Sequence, residues 1–392
     1  MTICDLTHAY TPTSGGIRTY VDAKREYILE HTEHTHVLVI PGKQDRITRA
    51  ERAVTIELES PLIPGAGPYR WFSRPSRVRR ALAYADPDLI ELGTFFMPTE
   101  SGPVFAARSR ARKRGRRVAV SIMAHTDFAD SYALGYSSKV LGETLGRGVG
   151  RLARVYVRRL LEAADVAVAP SPAQVDTFRE RGVEVELVSY GVDVDTFNPD
   201  RSDPAVRADL DIPDDALFLS YAGRLDSEKR TATMTRAVEI ASATRPAVLA
   251  MAGEGPHRGE LEDEQAAGSP IRVLPYQSSK AALARLMASS DLYLTAGPYE
   301  TFGLSVAEAQ ACALPVVGVA AGALVERVPD GLGLLGPVDD AEAMAQNILE
   351  AANHREAWSE AARRHVVENY SWAATFEQLF GLYREAVDES VA

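Results

Sequence analysis

Residues 217–229 read LFLSYAGRLDSEK. The run Leu217–Ala222 is short and almost wholly apolar, as in parallel strands covered on both faces, and a polar stretch follows it directly. In that stretch Arg224 and Lys229 stand five residues apart. At a strand's carboxyl end they can hold a diphosphate from two sides, because arginine binds phosphate bidentately and lysine acts as a point charge. A solvated loop whose cations pair with its own acidic residues explains the stretch equally well.

Similar strand-like runs recur along the chain, with helical patterns such as Tyr20–His31 and Arg74–Ala85 between them. The runs are Val37–Ile40, Leu89–Leu92, Val118–Met123 and Val166–Pro170 in the first half, and Leu217–Ala222, Ala247–Ala252, Ile271–Leu274, Leu292–Thr295 and Val316–Val319 in the second. This alternation is typical of an α/β protein with parallel sheets. Because the series restarts at Leu217, the sequence predicts two doubly wound, Rossmann-like domains facing a cleft, with a ligand at the carboxyl ends of the strands.

The length of 392 residues fits two domains. We predict an N-terminal domain over residues 1–197, a linker rich in Asp and Pro over 198–215, and a C-terminal domain over 216–370. The final segment, 371–392, is predicted as an amphipathic helix whose apolar stripe packs against another element. The stripe consists of Trp372, Phe376, Leu379 and Tyr383.

Composition and charge exclude several classes of protein. Two cysteines, Cys4 and Cys312, cannot form a disulfide framework or a zinc cluster, and no apolar run reaches the ~18 residues that span a bilayer. No signal peptide is evident, so a soluble, cytoplasmic protein is expected. Residues 1–200 contain 27 Lys and Arg against 25 Asp and Glu, whereas residues 201–392 contain 16 against 29. The more basic first half favours an anionic partner there.

Two further candidates lie in the first half. Gly15 and Gly16 stand between the first strand and a helix, where backbone N–H groups and the helix dipole can meet an anion. An ordinary strand-to-helix turn explains them as well, and the lack of a full GxGxxG motif argues against a dinucleotide cofactor. His125 follows the strand-like run Val118–Met123. At the carboxyl end of a strand it can donate a hydrogen bond to a substrate hydroxyl or stabilise charge in a transition state. A structural histidine is the alternative.

The stretch Tyr299–Ala309 places two carboxylates near one helix. Glu300 precedes the helix and Glu308 lies two turns inside it, roughly 12 Å away, which is too far for an acid–base pair. The two carboxylates suit two hydroxyl-bearing parts of one ligand, such as a hexose and a ribose. The amides at the helix start, which are well placed for phosphate oxygens, belong to Phe302, Gly303 and Leu304.

Together these residues resemble glycosyltransferase family 4, a retaining family with the GT-B fold. The matching motifs are Gly223-Arg224-Leu225-x-x-Glu228-Lys229, Gly253-x-Gly255-Pro256, and Glu300-x7-Glu308 with Phe302-Gly303-Leu304. The resemblance covers nearly the whole chain. It implies a hexosyltransferase that moves a hexose, foremost mannose or glucose, from a GDP- or UDP-linked donor to a lipid, glycan or small-molecule acceptor. It also implies that the final helix returns to the N-terminal domain.

The resemblance assigns roles to single residues. Arg224 and Lys229 would bind the donor diphosphate, Gly16 with its neighbour Gly15 would approach it from the other domain, and His125 would stabilise charge at the transferred hexose. The remaining donor contacts would come from Glu300 on a sugar hydroxyl, Glu308 on the ribose, the backbone of Phe302, Gly303 and Leu304, and the glycines Gly253 and Gly255. In this family a donor phosphate oxygen takes the acceptor proton, so no protein nucleophile and no cofactor is expected. The motif Asp193-Val194-Asp195 matches a metal-binding D-x-D, but its neighbours fit the family's interdomain turn, so no metal is expected.

The prediction for the acceptor side rests on arginines and aromatic residues. A basic run spans Arg108–Arg117, five arginines lie on the helical pattern Gly146–Leu161, and the loop Pro64–Phe72 contains Tyr69, Trp71 and Phe72. A basic amphipathic helix beside an aromatic loop can lie on an anionic bilayer, which favours a lipid acceptor and peripheral contact with the membrane. A solvated helix face with a small sugar or polyol acceptor is the alternative. Nucleic acid is not expected, because no recognised binding module accompanies the cluster.

Two other functions share these features. A sugar-nucleotide 2-epimerase has the same fold, and a non-catalytic protein that binds sugar nucleotides would keep the same donor residues. The set Arg224, Lys229, Glu300 and Glu308 favours transfer. Base and hexose stay open, because Pro275–Gln277 departs from the family pattern at a strand exit that often faces the nucleobase.

Overall fold

The structure is a computed structural model that describes residues 1–11, 16–63, 68–95, 97–125, 143–300 and 302–388, without the side chains of 143–150. It divides the chain into two compact units. Unit 1 consists of Met1–Ser189 together with Thr375–Ala392, and unit 2 is Tyr190–Ala374. Each unit contains a largely parallel sheet whose strands alternate with helices. The predicted α/β class with two Rossmann-like halves is therefore confirmed.

Unit 1 contains an eight-stranded sheet within its described residues. The strands are β1 Thr2–Leu6, β2 Thr35–Gly42, β3 Arg46–Ala50, β4 Ala53–Glu59, β5 Leu89–Leu92, β6 Ala119–Met123, β7 Val166–Ala169 and β8 Glu186–Leu187. Their order is β3-β4-β2-β1-β5-β6-β7-β8, parallel throughout except where β3 pairs with β4. The helices are α1 Gly16–His31, α2 Pro75–Ala85, α3 Pro98–Lys113, α4 Glu143–Ala163 and α5 Pro172–Glu180. Since β1 lies between β2 and β5, the strand order reverses there, and a crevice is expected at the carboxyl ends of β1 and β5.

Unit 2 contains a six-stranded parallel sheet in the order β11-β10-β9-β12-β13-β14. The strands are β9 Leu217–Ala222, β10 Ala247–Ala252, β11 Ile271–Leu274, β12 Leu292–Leu294, β13 Val316–Val319 and β14 Gly333–Gly336. The helices are α6 Ala205–Asp209, α7 Thr231–Ser242, α8 Arg258–Ala266, α9 Lys280–Ala288, α10 Leu304–Ala311, α11 Leu324–Arg327, α12 Ala341–Asn353 and α13 Arg355–Asn369. The strand order reverses between β9 and β12, so the equivalent crevice lies at their carboxyl ends.

The apolar character of β9 follows from burial on both faces. Leu217, Leu219 and Tyr221 belong to the main core of unit 2, and Phe218 belongs to a second cluster on the opposite side of the strand. Successive side chains of a strand alternate between faces, so a strand with two covered faces needs apolar residues at nearly every position. Each fully buried leucine side chain contributes about 1.5–3 kcal/mol.

The helix α14, Trp372–Asp388, packs with most of its length in unit 1. Phe376 lies against Tyr20 and Tyr27 of α1, with ring centroids 5.8 and 5.3 Å apart. Tyr383 donates a hydrogen bond to the Glu91 carboxylate of β5. Within the apolar stripe seen in the sequence, Phe376 thus covers α1 and Tyr383 reaches the unit 1 sheet.

Residues 198–215 fold onto unit 2, whereas the sequence predicts a linker there. The segment contains α6 and a short 3-10 helix, and its Val206 and Ile212 are buried beside Phe218. Asp203 pairs with Arg285 of α9 over 2.8 Å. The few apolar residues among the Asp and Pro residues anchor the segment to unit 2. The boundary between the units therefore lies at Ser189–Tyr190 and not within residues 198–215.

None of the helices in the described residues combines the length and the apolar character that crossing a membrane requires.

Candidate functional site

In unit 2, the ends of β9 and β12 bring a cation and a carboxylate together. Lys229 follows β9, Glu300 follows β12, and Lys229 Nζ donates to Glu300 Oε2 over 2.6 Å. The two side chains are 18% and 21% exposed, so the pair is open to a ligand while partly shielded from water. It lies at the reversal of strand order, where open α/β sheets bind their ligands. The structure thus joins two residues that the sequence analysis selected separately.

Arg224 lies in the same loop, with its side chain 59% exposed. It donates to Asp226 and, over 2.7 Å, to Glu228 Oε1. Asp226 also accepts a hydrogen bond from the backbone N–H of Lys229 over 3.0 Å. The acidic residues of the loop therefore hold the Arg224 side chain and the Lys229 backbone at the strand end, and an anion at Arg224 would compete with Asp226 and Glu228.

Glu300 also shapes the turn that leads into α10. Its Oε1 accepts from the backbone N–H of Gly303 over 3.3 Å. Gly303 has a φ of +76°, a left-handed conformation that glycine adopts without strain, and Leu304 begins the helix. The backbone amides at this helix start carry the positive end of the helix dipole, which suits a phosphate.

Sequence reasoning missed Arg327, which supports this turn from inside the unit. Its side chain is buried, and its Nε donates to the Phe302 carbonyl over 2.7 Å. Its guanidinium carbon lies 4.0 Å from the ring centroid of Phe302 and 3.9 Å from that of Tyr370. Burial lowers the pKa of Arg327, yet an arginine keeps its charge in a protein. Nothing in the local sequence distinguishes this arginine from a solvated one.

Glu308 lies half-buried on α10. Burial raises the pKa of its carboxyl to about 8, with Lys280 opposing the shift and Asp193 adding to it. Hydrogen bonds from a ligand would favour the charged form of such a desolvated carboxyl. Asp193, the first residue of the D-x-D motif, accepts from the Thr196 N–H over 2.9 Å and so caps a turn.

Gly253 and Gly255 have a packing role in the structure. A Cβ at Gly253 would lie 1.9 Å from the Gly223 carbonyl oxygen, and one at Gly255 would lie 2.2 Å from the Leu225 carbonyl oxygen. The Leu225 N–H donates to the Glu254 carbonyl over 2.9 Å, which joins the loops after β9 and β10. The two glycines therefore position the loop of Arg224 and Lys229, and a direct contact with a donor stays a prediction.

In unit 1, His125 follows β6 and is buried. Its ring meets that of Tyr20 edge-on, with centroids 5.3 Å apart. Burial and the nearby Lys24 lower the pKa of His125 to about 3, so the ring is neutral near pH 7. Gly16 is the first residue of α1, and Gly15 lies outside the described residues.

A buried charged network adjoins His125, and the sequence analysis did not select it. Lys24 Nζ donates to Asp5 Oδ1 over 2.7 Å and to Glu91 Oε1 over 2.6 Å. Tyr20 donates to the same Glu91 carboxylate over 3.1 Å, as does Tyr383 of α14. Asp5 and Glu91 are single carboxylates within apolar strands, and that pattern was the available signal, because a buried charge needs a partner.

Two arginines of the predicted basic run form ion pairs within unit 1. Arg108 and Arg117 both pair with Asp165, over 2.8 and 2.9 Å. Of the aromatic loop, Pro64–Pro68 is described only from residue 68, and Phe72 is buried in the core of unit 1. The prediction that Phe72 belongs to an aromatic surface on the acceptor side is therefore wrong, because its ring is buried in the core and cannot contact a partner.

The described part of α4 retains an exposed basic and apolar surface. Leu152 and Val155 are 72% and 45% exposed, and Arg151, Arg154, Arg158 and Arg159 are exposed beside them. A groove of about 190 Å³ runs along this helix. It is lined by Arg154, Val155, Val157, Arg158, Leu161, Phe178, Arg181 and Val183.

Comparisons with known proteins match nearly the whole chain to glycosyltransferases. The family model "Glycosyl transferases group 1" matches residues 202–365, and "Glycosyl transferase 4-like domain" matches residues 15–191. The GDP-mannose-dependent alpha-(1-6)-phosphatidylinositol dimannoside mannosyltransferase of Mycobacterium tuberculosis is 30% identical over 387 residues, covering 95% of this chain and 93% of that protein. The GDP-mannose-dependent alpha-mannosyltransferase of the same species is 28% identical, covering 97% and 96%. Among solved structures, the sucrose-phosphate synthase of Thermosynechococcus elongatus shares the fold, with a TM-score of 0.75 at 21% identity over 98% of both chains.

Proposed function

Since the chain belongs to glycosyltransferase family 4 and is a nucleotide-sugar-dependent hexosyltransferase of the GT-B fold, we propose that its donor is GDP-mannose and its acceptor a mannosylated phosphatidylinositol lipid. The observation that carries this proposal is the match over nearly the full length of two proteins that are both named as GDP-mannose-dependent. The name of the first of them includes phosphatidylinositol dimannoside. We further propose that the anomeric configuration of the mannose is retained.

The donor site supports the proposal through its charge pattern. Lys229 would hold the diphosphate as a point charge, Arg224 would bind it bidentately after leaving Glu228, and the amides at the start of α10 would meet its remaining oxygens. Glu300, released in part from Lys229, would accept from a mannose hydroxyl. Stabilising the leaving diphosphate in this way would supply the largest share of catalysis.

Two further roles belong to the same proposal. The Glu308 carboxyl would accept hydrogen bonds from the ribose hydroxyls, which offset its cost of burial. In unit 1, the neutral ring of His125 would hydrogen-bond the transferred mannose, and the amide of Gly16 at the start of α1 would contact the donor phosphate.

A donor panel tests the first half of the proposal. GDP-mannose, UDP-glucose, UDP-galactose and UDP-N-acetylglucosamine are added separately at equal concentration, and the shift in Tm is measured. A ligand at 100 times its Kd stabilises the folded state by about 2.7 kcal/mol, so the true donor should give a clear upward shift. GDP-mannose should give the largest shift. A larger shift with any UDP-sugar would contradict the assignment of the donor.

A transfer assay tests the second half. GDP-mannose is incubated with phosphatidylglycerol vesicles that contain phosphatidylinositol mannosides, and the lipid product is examined by mass spectrometry and NMR. An added α-linked mannose is expected. Release of GDP without a mannosylated lipid would refute the acceptor, and a β-linked product would refute retention.

We also propose that α4 rests on an anionic membrane from the cytoplasmic side. Its exposed Leu152 and Val155 stand among four arginines, a pattern typical of interfacial helices. The test compares flotation of wild type, Leu152→Glu and Ile47→Glu with phosphatidylglycerol vesicles. Ile47 is a control because it is 50% exposed on β3, at the other end of the sheet order. Salt-sensitive flotation that only Leu152→Glu weakens supports the proposal, and equal flotation of all three proteins refutes it.

A further inference from the structure

The ring of His125 in unit 1 packs against Tyr20 and approaches Gly93. The rings of His125 and Tyr20 have centroids 5.3 Å apart and planes inclined at 72°, which is an edge-on contact. A Cβ at Gly93 would lie 3.4 Å from His125 Nε2, so the imidazole lies close to the backbone of this glycine. The Ala124 N–H donates to the Val168 carbonyl of β7 over 2.8 Å, which fixes the backbone just before the histidine. With the backbone held by the sheet, the neighbours of the ring determine its orientation.

Tyr20 is itself held at both its ring and its hydroxyl. The hydroxyl donates to Glu91 Oε1 over 3.1 Å, and Lys24 Nζ lies 4.9 Å from the centroid of the ring. The side chain is fully buried. Burial and the charge of Glu91 raise the pKa of Tyr20, so the hydroxyl keeps its proton and stays a donor. The face that Tyr20 presents to His125 is therefore fixed.

The anchor of Tyr20 is a buried ion cluster for which the proposed function has no role. Lys24 Nζ donates to Asp5 Oδ1 and Glu91 Oε1 over 2.7 and 2.6 Å, and the three side chains are 0–3% exposed. A buried cluster of this kind gains little stability over apolar residues of similar size, because desolvation offsets the attraction of the charges. Apolar residues could not hold the Tyr20 hydroxyl, however, whereas the Glu91 carboxylate accepts from it.

The helix α14 supports the same tyrosine. Phe376 lies 5.8 Å from the Tyr20 ring, centroid to centroid, and Tyr383 donates to the Glu91 carboxylate. Tyr20 and Tyr383 are thus two buried tyrosines that share one acceptor. Their rings have different neighbours, since the Tyr20 ring meets His125 whereas the Tyr383 ring meets Phe380 at 5.3 Å. This difference allows a positioning role of Tyr20 to be separated from a contribution to folding.

We propose that Tyr20 is a positioning residue for the transfer reaction: held by Glu91 and Lys24, its ring sets the orientation in which His125 meets the transferred mannose. The inference rests on the proposed function, which places His125 at the mannose. Tyr20 stands four residues after Gly16 on α1. One helix therefore serves both the donor phosphate, through the Gly16 amide, and the histidine, through Tyr20.

Two variants of Tyr20 and one matched control test the proposal. Tyr20→Leu removes the ring, whereas Tyr20→Phe keeps the ring and removes the hydroxyl. Tyr383→Leu is the control, because Tyr383 is equally buried and bonds the same carboxylate. His125→Ala measures the whole contribution of the histidine.

Two readouts are taken for each variant. The kcat and the KM for GDP-mannose are measured with vesicles that contain phosphatidylinositol mannosides, and kcat is expressed per folded molecule, with the folded fraction taken from urea unfolding. The ring C–H signals of His125 are recorded by NMR without substrate and assigned by their loss in His125→Ala.

Tyr20→Leu should lower kcat by about tenfold, as expected for the loss of one aromatic pair, and leave the KM for GDP-mannose within about twofold of wild type. Tyr20→Phe should restore kcat to within about threefold of wild type. Tyr383→Leu should lose stability and keep kcat within about twofold. The His125 signals should shift in Tyr20→Leu and stay in place in Tyr383→Leu.

A wild-type kcat in Tyr20→Leu, or equal losses of kcat in the two leucine variants, overturns the inference, while a loss of activity in His125→Ala still supports the proposed function. A wild-type rate in His125→Ala overturns the proposed role of His125 and this inference with it. If Tyr20→Leu does not fold, Tyr20→Phe and Tyr383→Phe form the comparison, and unshifted His125 signals in Tyr20→Phe overturn the inference. If the wild type is inactive with GDP-mannose, the proposed donor fails, and unshifted His125 signals in Tyr20→Leu separately overturn the positioning by Tyr20.

Discussion

Lys229 and Glu300 form a 2.6 Å ion pair that joins the ends of two adjacent strands, β9 and β12, although the residues are 71 positions apart in the chain. The pair keeps a cation and a carboxylate at the same place, as the proposed binding of the donor diphosphate and the mannose hydroxyl requires. A partly exposed pair of this kind adds little stability, typically up to ~1 kcal/mol, so its value lies in positioning.

Lys229→Ala and Glu300→Ala should therefore separate activity from stability. We expect each variant to lose at least ~100-fold in kcat/KM for GDP-mannose, because each removes a group that the proposed function places at the site of developing charge. The free energy of unfolding should change by less than about 1 kcal/mol. Arg236→Ala, which removes a 62%-exposed cation on α7, is the control. Kinetics and urea unfolding measure both quantities, and a wild-type rate in either site variant would refute the assignment.

Glu308→Gln should change how stability depends on pH. The Glu308 carboxyl has a pKa raised by burial to about 8, whereas in the unfolded chain it titrates near ~4.3. Between these two values the folded state binds more protons, so the native enzyme loses stability as pH rises. The variant lacks this titration. Its Tm relative to wild type should therefore increase from pH 5 to pH 8.5, as followed by calorimetry.

The raised pKa of Glu308 also predicts that the affinity for the nucleotide depends on pH. If ribose hydroxyls bond the Glu308 carboxylate, affinity for GDP should rise with pH up to about 8 in wild type. Glu308→Gln should remove that rise. A parallel pH dependence in both proteins, measured by titration calorimetry, would show that Glu308 does not contact the nucleotide.

Tyr383→Phe tests the link between α14 and the buried charges of unit 1. The change removes one donor from the Glu91 carboxylate, and we expect a loss of about 1–3 kcal/mol in the free energy of unfolding. Tyr27→Phe is the control. The Tyr27 ring packs against Phe376 and Phe380 of the same helix, and phenylalanine keeps these apolar contacts while it removes a hydroxyl. Equal stability of the two variants would show that the hydroxyl of Tyr383 contributes nothing.

Arg327→Lys should weaken donor binding from within the protein. Lysine keeps the charge but loses the planar group that lies on Phe302 and Tyr370 and the Nε donor to the Phe302 carbonyl. We expect a several-fold higher KM for GDP-mannose and a loss of roughly 2–4 kcal/mol in stability, as for other broken buried contacts. Arg364→Lys, 60% exposed on α13, should leave both unchanged. An unaltered KM would mean that Arg327 does not position the turn.

The strands could be predicted best where both faces are buried. The run Leu217–Ala222 has the bounds of β9, because its apolar residues end at the glycine that begins the loop. The edge strand β3 was missed, since every residue of Arg46–Ala50 is exposed and carries no apolar alternation. Its neighbour β4, which lies between β3 and β2, was missed as well, although Ala53, Ile56 and Leu58 are buried. Burial supplies the sequence signal, and edge strands lack it.

Site residues could be predicted where the motif and its place after a strand coincide. Lys229 and Glu300 were selected in this way, and the structure brings them into contact because β9 and β12 are neighbours, which periodicity does not reveal. The partners of Glu91 could not be derived, because Tyr383 is 292 positions away and reaches it only through the packing of α14. Arg327 was missed for the same reason, since its burial is a tertiary property.

The packing of α14 on unit 1 has a consequence for biosynthesis. The strands of unit 1 are complete by Ser189, but α14 emerges only after the 185 residues of Tyr190–Ala374 have been translated. At ~5–20 residues per second that interval lasts roughly 10–40 s. During this time the apolar surface of α1 and the Glu91 carboxylate lack their contacts with α14. If translation stops in this interval, the released chain contains all the strands of the unit 1 sheet but lacks the helix that covers α1. Such a chain displays the features by which chaperones and proteases recognise incomplete proteins.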